Sequence, residues 1–282
     1  MTTTGAGTAS AAVRYTDSRS MPWVPHVLEG SVCKVLDTDA DADNYVQLRY
    51  VVPGGAPRGR RLHLSVNETF YFTFGDFPSF EYDSMQDLAG HVENYTKGKF
   101  MDRMPHSIHG REPEPESVTG SELLIWTSHG GEFEVDTVET VHFPNTPDAE
   151  APAGTSPHPA PAIVDSHVLS WQDHPQSPGV QQKILSAEDN APNKTPRPVK
   201  LVYLPSRWPE APLALNAVET RAWVYCLAGG AGLTVDGTDY VLSEGAYLRW
   251  QPGVSATVTQ SAPDGCRLLV VGHDFSGVGT GD

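Results

Sequence analysis

Short runs of apolar residues, many of them alternating with polar ones, follow one another along the first half of the chain. Such runs are typical of β-strands, whose side chains point to opposite faces in turn. Turn-rich pieces separate them, among them DTDADADN (residues 37–44) and PGGAPRG (53–59). The pattern predicts an all-β sandwich or barrel. The predicted strands are SVCKVLD, YVQLRYVVP, RLHLSV, TFYFTF, FEYD, VENY, KFMDRMP and SELLIWTS.

The second half of the chain repeats the first half in outline. GVQQKILS (residues 179–186) corresponds to GSVCKVLD (30–37), and Trp171 corresponds to Trp23. The repeat continues with YCLAG, SEGAYLRWQPG and CRLLVVG, which correspond to YFTFG, TKGKFMDRMPH and ELLIWTS. An internal repeat of about 150 residues, all of it predicted as β-structure, indicates duplicated domains.

Composition predicts the domain boundaries. Residues 1–20 are small and polar, which predicts a poorly ordered N-terminus. Residues 21–143 form the first predicted domain, and the Pro/Ala-rich segment 144–165 is a predicted linker. Residues 166–276 form the second domain, followed by a tail at 277–282.

The segment RLHLS (residues 61–65) is the first part of a candidate site. As a strand it places Arg61 and His63 on one face, toward a shared cavity, with the two leucines on the other face. Glu68 reaches the same cavity if the chain bends at SVN before the next strand begins. With that bend, Arg61, His63 and Glu68 would point into one cavity.

The spacing of these residues resembles the first conserved motif of the cupin superfamily. Gly55, His63, Glu68 and Gly75 stand at its positions, and Arg61 replaces its leading histidine. The resemblance implies a double-stranded β-helix, or jelly-roll barrel, whose interior holds a functional site.

A second stretch, GKFMDRMPHSIHG (Gly98–Gly110), resembles the second cupin motif. In that motif a turn with a proline, here Pro105, carries one more histidine into the same barrel. The resemblance assigns this place to His109, and His106 is the alternative if the turn is shifted. With the internal repeat, residues from about 21 to 275 resemble a bicupin of two tandem cupin barrels.

The resemblance implies a metal site formed by His63, Glu68 and His109. Two imidazoles and one carboxylate leave coordination positions open, which suits non-haem Fe(II) together with a substrate and O₂. Zinc would accept the same ligands plus water, and manganese is a further alternative, so Fe(II) is preferred but not fixed. Arg61 either pairs with Glu68 in a metal-free barrel or binds a substrate carboxylate or enolate. Arg61 and Tyr71 are the candidate catalytic residues.

The second half of the chain provides an internal comparison. Its residues at the four matched positions are apolar, and burial of unpaired ionisable groups is costly. The ionisable residues at these positions occur in the first half alone, so their presence calls for a reason other than stability. The positions of Arg61, His63, Glu68 and His109 are taken by Leu215, Ala217, Ala222 and Ala256.

The resemblance implies a metalloenzyme acting on a small organic molecule, with a non-haem Fe(II) dioxygenase preferred. The YxxxG segment and the SIHG ending are loosely similar to the subgroup that contains 2,4'-dihydroxyacetophenone dioxygenase and the cupin of ChrR anti-sigma factors. A zinc- or manganese-dependent isomerase, lyase or cyclase of specialised metabolism is one alternative. A non-catalytic small-molecule-binding or sensor bicupin is the other.

Charge and composition limit the kinds of partner that the protein is expected to bind. A net charge of -16 and a pI near 5.0 disfavour nucleic acid and anionic membranes. The sequence shows neither a bilayer-spanning apolar run nor a secretory signal, so the expectation is a cytoplasmic protein. The cysteines have no disulfide or zinc spacing and are predicted to be buried free thiols. A small-molecule substrate and a possible homodimer are the expected partners.

Overall fold

The structure is a computed structural model, and the part of the chain it describes contains twenty β-strands and one short 3-10 turn at Ser18–Ser20. No helix within the described ranges is long and apolar enough to cross a membrane. The described residues are 12–26, 30–39, 44–55, 60–63, 67–82, 90–103, 108–110, 115–128, 140–143, 161–186, 198–208, 212–215 and 221–272.

The strands alternate with turns along both halves of the chain, as the sequence predicts. Those of the first half are β1 (Val13–Asp17), β2 (Val24–Pro25), β3 (Ser31–Asp39), β4 (Asn44–Val51), β5 (Arg60–His63), β6 (Asn67–Glu81), β7 (His91–Thr96), β8 (Lys99–Arg103), β9 (Ile108–His109), β10 (Ser121–Ser128) and β11 (Thr140–Phe143). Those of the second half are β12 (Ala162–Asp165), β13 (Gln172–Asp173), β14 (Gln181–Ser186), β15 (Val199–Leu204), β16 (Leu213–Ala214), β17 (Ala222–Val235), β18 (Thr238–Ser243), β19 (Ala246–Trp250) and β20 (Ala256–Val271).

The strands form two antiparallel sheet systems, one for each barrel. The first barrel has the path β11-β5-β9-β6-β10-β4-β3-β2, with β7, β8 and β12 attached to it. The second has the path β1-β19-β17-β20-β15-β14-β13, with β16 and β18 attached. In the first barrel the long strand β6 pairs with β8 and β10 through its first part and with β7 and β9 through its last part. One strand therefore belongs to both walls of the barrel.

A glycine allows the long strand of each barrel to change partners. Gly75 in β6 has φ +76°, and a Cβ atom there would lie 1.8 Å from the carbonyl oxygen of Gly120. Gly229 in β17 has φ +72°, and its Cβ would lie 2.0 Å from the carbonyl oxygen of Gly265. Only glycine fits such a contact at positive φ. The two halves of the repeat therefore share this backbone device.

Each barrel receives one strand from the segment that precedes the other barrel. β1 pairs with β19 in the second barrel, and β12 pairs with β8 in the first. Composition predicts a poorly ordered segment at the place of β1 and a linker at the place of β12, whereas the structure has a paired strand at each place. The edge strands β8 and β19 carry backbone groups that need partners, and these short segments supply them.

The same contact fastens both exchanged segments. Lys34 donates a hydrogen bond to the carbonyl oxygen of Ser18 at 2.8 Å, and its ammonium group lies 4.4 Å from the ring centre of Trp23. Lys183 makes the matching contacts with Ser166 at 2.8 Å and with the second tryptophan of the repeat at 4.6 Å. The correspondence of the two tryptophans, predicted from the sequence, extends to their surroundings.

Among the described residues, three apolar clusters form the core. One fills the second barrel and one fills the first. The third joins the barrels, and it combines Tyr71 and Trp126 of the first with Trp223 and Tyr247 of the second. The rings of Trp126 and Trp223 meet edge to face with centroids 5.1 Å apart. The two barrels therefore pack through a continuous apolar interface.

Candidate functional site in the first barrel

Alternation along β6 places Glu68 inside the first barrel. Phe70 and Phe72, two and four residues further on, belong to the apolar cluster that fills this barrel. Glu68 is only 4% exposed. Tyr71 points to the opposite face and belongs to the cluster between the barrels. The structure therefore separates Tyr71 from Glu68, although both are predicted site residues.

Arg103 is the residue that faces Glu68. The two are directly opposite on β8 and β6, and Nη1 of Arg103 lies 3.3 Å from Oε2 of Glu68. The same guanidinium pairs with both carboxylate oxygens of Glu81, with Nε 3.3 Å from Oε2 and Nη2 in contact with Oε1. Because Glu81 lies at the far end of β6, Arg103 connects the two walls of the barrel.

Tyr95 completes this network from β7. Its hydroxyl donates a hydrogen bond of 2.9 Å to Oε1 of Glu81. The guanidinium carbon of Arg103 lies 5.3 Å from the ring centre of Phe70, close enough for a cation–π contact. No member of the network, Glu68, Glu81, Tyr95 or Arg103, is more than 4% exposed. The network is therefore a set of buried charges held by hydrogen bonds.

The surroundings fix the protonation states of two members. Burial by itself lowers the pKa of Arg103, but the charge of Glu81, followed by Tyr95 and Glu68, outweighs burial and leaves this pKa above its ordinary value. Burial raises the pKa of Tyr95 well above its ordinary value, and the neighbouring charge of Glu81 raises it further. Arg103 is therefore a permanent cation, and Tyr95 remains a neutral donor.

His109 lies next to this network. On β9 it is the strand partner of Glu81 on one side and of Arg61 on the other, and its side chain is 4% exposed. The structure thus brings Glu68 and His109 into one neighbourhood, connected through Arg103 and Glu81. The side chains of Arg61 and His63 lie outside the described residues, as does His106, so their predicted roles stay predictions.

The matched positions of the second barrel have the same backbone pairing and apolar side chains. Ala222 faces Trp250 as Glu68 faces Arg103, and Val235 pairs with Ala256 across β17 and β20. The backbone N–H of Leu215 donates to the carbonyl oxygen of Ala256 at 2.7 Å, in the place of the pairing between Arg61 and His109. Leu242 pairs with Ala231 as Tyr95 pairs with Phe77, so it takes the place of Tyr95. All these residues belong to one core cluster, which comprises at these positions Leu215, Ala222, Val235, Leu242, Trp250 and Ala256.

Sequence reasoning missed Glu81, Tyr95 and Arg103. The signal that could have found Arg103 is its place inside the second motif, where the repeat has Trp250. A polar residue at an inward strand position of one barrel, where the other barrel has a tryptophan, indicates that the interiors of the two barrels differ in polarity. The signal for Glu81 is similar, because the repeat has Val235 at its place.

The resemblance to cupins predicts a metal site, which requires several ligand side chains close together among the described residues. Among them, no three His, Cys, Asp or Glu side chains come close enough to hold one. The carboxylate of Glu68 faces a guanidinium, and a cation bound to Glu68 would lie beside the positive charge of Arg103. In this arrangement the carboxylate of Glu68 is engaged by Arg103.

Solved structures resemble this chain along most of its length. No family model and no curated protein matches the sequence. Protein YlbA from E. coli, described with a DUF861 family model, has a TM-score of 0.63 at 8% identity, covering 93% of this chain and 91% of that one. Oxalate decarboxylase from Bacillus subtilis has a TM-score of 0.64 at 15% identity, covering 95% and 78%. A putative glyoxylate-induced protein from Pseudomonas aeruginosa has a TM-score of 0.64 at 10% identity, covering 95% and 90%.

Identities this low show the fold and not the activity. The fold is that of a bicupin, two cupin barrels in one chain, as the motifs and the internal repeat predict. The similarity to the 2,4'-dihydroxyacetophenone dioxygenase and ChrR subgroup stays a prediction.

Proposed function

We propose that the first barrel is the functional one and that it binds a small organic molecule at the network of Glu68, Glu81, Arg103 and His109. The observation that supports this is the contrast between the barrels. The second barrel builds the same strand pairs around an apolar set of side chains, so the fold does not need the charged set. Removing charges from water is costly, and this cost is explained if the charges recognise a ligand.

The network offers both kinds of hydrogen-bonding group. Arg103 presents a planar fork of donors that matches a carboxylate or an enolate, and it binds Glu81 in this way in the structure. Glu68 and Glu81 accept hydrogen bonds from hydroxyl or amine groups. His109 and Glu68 are also side chains of the kind that transfer protons in catalysis. A small molecule with several polar groups is the ligand class that fits.

The test is a thermal-shift screen with small carboxylic acids, hydroxy-ketones, diketones, catechols and amines. The matched control variant introduces the second barrel's residues into the first, as Glu68→Ala, Glu81→Val, Tyr95→Leu, Arg103→Trp and His109→Ala together. Stabilisation of the natural protein and none of the folded variant is the expected result. Equal stabilisation of both proteins by the same compounds would place the ligand elsewhere and contradict the proposal.

The second candidate is a metal-dependent enzyme with His63, Glu68 and His109 as ligands. His109 favours it, because this imidazole is buried in the same barrel as Glu68, on the strand next to the one that carries His63. One of the structural neighbours is by name an enzyme, oxalate decarboxylase. This candidate requires the side chain of Arg103 to leave Glu68. Fe(II) would support a dioxygenase, and zinc or manganese an isomerase, lyase or cyclase.

Metal content separates the two candidates. It is measured by mass spectrometry on protein purified without chelator, beside a His109→Ala variant. About one iron per chain, lost in the variant, would favour the dioxygenase and lead to oxygen-consumption assays. Zinc or manganese at that level would favour the other metal-dependent reactions. No metal in either protein after reconstitution is the result expected for the metal-free binding site.

A further inference from the structure

Two thiols meet in the core of the second barrel. Cys226 lies on β17 and Cys266 on β20, and their sulfur atoms are 3.7 Å apart. Both side chains are buried, at 0% and 2% exposure. Both are free thiols, as the sequence predicts, and so is Cys33 in the first barrel. The sequence gives no sign of the contact, because 40 positions separate the two residues.

The contact occurs at an irregularity of the strand pair. The register between β17 and β20 shifts between Cys226 and Ala228, and Sγ of Cys226 lies 3.6 Å from the carbonyl oxygen of Ala228. The first barrel has the matching shift, with Phe72 and Ser121 at the places of the two cysteines. The fold therefore forms this bulge without thiols, and the pair is a property of the second barrel.

The two thiols are not chemically equivalent. The hydrogen bond with Cys266 lowers the pKa of Cys226, while the same contact, with burial, raises the pKa of Cys266. Cys226 is therefore the more acidic thiol of the pair, and the thiolate is the nucleophilic form of cysteine.

We propose that Cys226 and Cys266 are a redox-active pair that forms a disulfide on oxidation by a hydroperoxide. Cys226 loses its proton and attacks a peroxide oxygen as the thiolate, the O–O bond breaks, and the departing hydroxide takes up that proton, so that the products are a sulfenic acid and one water. The sulfur of Cys266 then loses its proton, attacks the sulfenic sulfur and displaces a second water. Two thiols lose two electrons and two protons, and hydrogen peroxide is reduced to two waters.

Formation of the disulfide requires only a small movement of the two sulfur atoms. The sulfur atoms must approach from 3.7 Å to the bond length of about 2.05 Å, which small rotations of the two side chains supply. The bond would join β17 and β20, two strands that pair along most of their length. Because both thiols are buried, the reaction is expected to be slow, and it is independent of the proposed ligand site.

The test uses the full chain, treated with hydrogen peroxide, then denatured, alkylated with N-ethylmaleimide and digested with trypsin. The expected product is a cross-link between the peptides 222–249 and 250–267. The intact protein should lose about 2 Da for the bond formed. Cys33 should still react with the maleimide, and dithiothreitol should restore all the thiols.

Cys266→Ser is the matched control, because Cys266 pairs with Gly229 as Ser121 pairs with Gly75, so the strand pairing puts a serine at the corresponding place of the first barrel. This variant should give no cross-linked peptide, and its Cys226 should accumulate higher oxidation states instead. Recovery of Cys226 and Cys266 as alkylated thiols after peroxide treatment of the natural protein would overturn the proposal, whatever happens to Cys33. So would a disulfide that links Cys33 of two chains while the pair stays reduced.

Discussion

Glu68 and Arg103 face each other across β6 and β8, with a carboxylate oxygen 3.3 Å from a guanidinium nitrogen and both side chains buried. The corresponding pair in the second barrel, in the same register, is Ala222 and Trp250. One backbone geometry thus holds either an ion pair or an apolar contact. Substitutions at these positions can therefore change the charged groups inside the barrel while the strand pairing is kept.

The first prediction concerns the loss of the central cation. Arg103→Met leaves Glu68 and Glu81 buried without the guanidinium that neutralises them. The free energy of unfolding should fall by about 3–5 kcal/mol, the usual cost of breaking a buried ion pair from one side. Urea denaturation followed by tryptophan fluorescence measures the change.

The control removes all three charges together. Glu68→Ala, Glu81→Val and Arg103→Trp reproduce the residues of the second barrel, and this triple variant should recover most of the stability lost by Arg103→Met. If Arg103→Met alone costs less than about 1 kcal/mol, the network is not the buried charge system described above.

The second prediction concerns an ion cluster between the barrels. Asp37 is fully buried, lies 2.6 Å from Nε of Arg249 and 3.1 Å from Arg14, and accepts a hydrogen bond of 3.0 Å from Tyr247. Asp37→Ala removes the carboxylate between two guanidinium groups, and should lower the free energy of unfolding by about 3–5 kcal/mol. Chemical denaturation gives the value.

An exposed ion pair provides the comparison for Asp37. Arg19 and Glu244 lie 2.9 Å apart, and their side chains are 58% and 53% exposed. Glu244→Ala should change stability by less than about 1 kcal/mol, because water screens such a pair. Equal effects of the two substitutions would show that burial does not decide the strength of these contacts.

The third prediction concerns the glycines at which the long strands change partners. A methyl group on Gly75 or Gly229 would collide with a backbone carbonyl oxygen, 1.8 Å or 2.0 Å away. Either alanine variant should lose more than about 3 kcal/mol or fail to fold. Gly237→Ala is the control, because its φ of +74° is similar but its Cβ would meet nothing within 4 Å. A cost of about 1 kcal/mol is expected there, and a larger cost would point to φ alone as the cause.

The fourth prediction concerns alkaline pH. Burial, opposed by the hydrogen bond with Ser18 and reinforced by the charge of Glu122, raises the pKa of Tyr225 to about 12. An unfolded tyrosine ionises near pH 10, so the stabilisation by neutral Tyr225 is complete below about pH 10 and is lost between about pH 10 and 12. Urea denaturation at stepped pH should show a fall of about 1–3 kcal/mol assignable to this residue.

Tyr225→Phe isolates that contribution. The variant loses the contact with Ser18 at every pH, so its stability should be lower already at pH 7, where Tyr225 is neutral in both states. Its further decline above pH 10 should be shallower than that of the natural protein. Parallel declines would mean that another group is responsible.

Much of the fold could be predicted because its signals are local. The alternation in RLHLS and TFYFTF predicts strands, and the glycines between strands predict turns. The internal repeat predicts two barrels. The partners of Glu68 could not be predicted in this way. Glu81 reaches Arg103 only because β6 changes partners after Gly75. The alternation of side chains along a strand does not specify which residues from its two ends will lie close together in the barrel.

The exchanged strands were missed for a different reason. The segment VRYTD (residues 13–17) is short and follows a small, polar stretch, so its composition indicates disorder. What makes it a strand is the open edge of β19, which lies far along the chain. Glu68 and His109 are buried in the same barrel, and the predicted roles of these two residues and of Arg61 and His63 stay predictions.

The pairing of β1 with β19 also constrains folding during translation. β1 emerges from the ribosome long before β19. Its backbone groups therefore lack their strand partners until β19 has been made and Val13 can pair with Trp250. β12 emerges soon after the strands of the first barrel and can join β8 at once. Vectorial synthesis therefore favours completion of the first barrel before the second, and β1 must remain accessible, without aggregating, until residues 246–250 have been made.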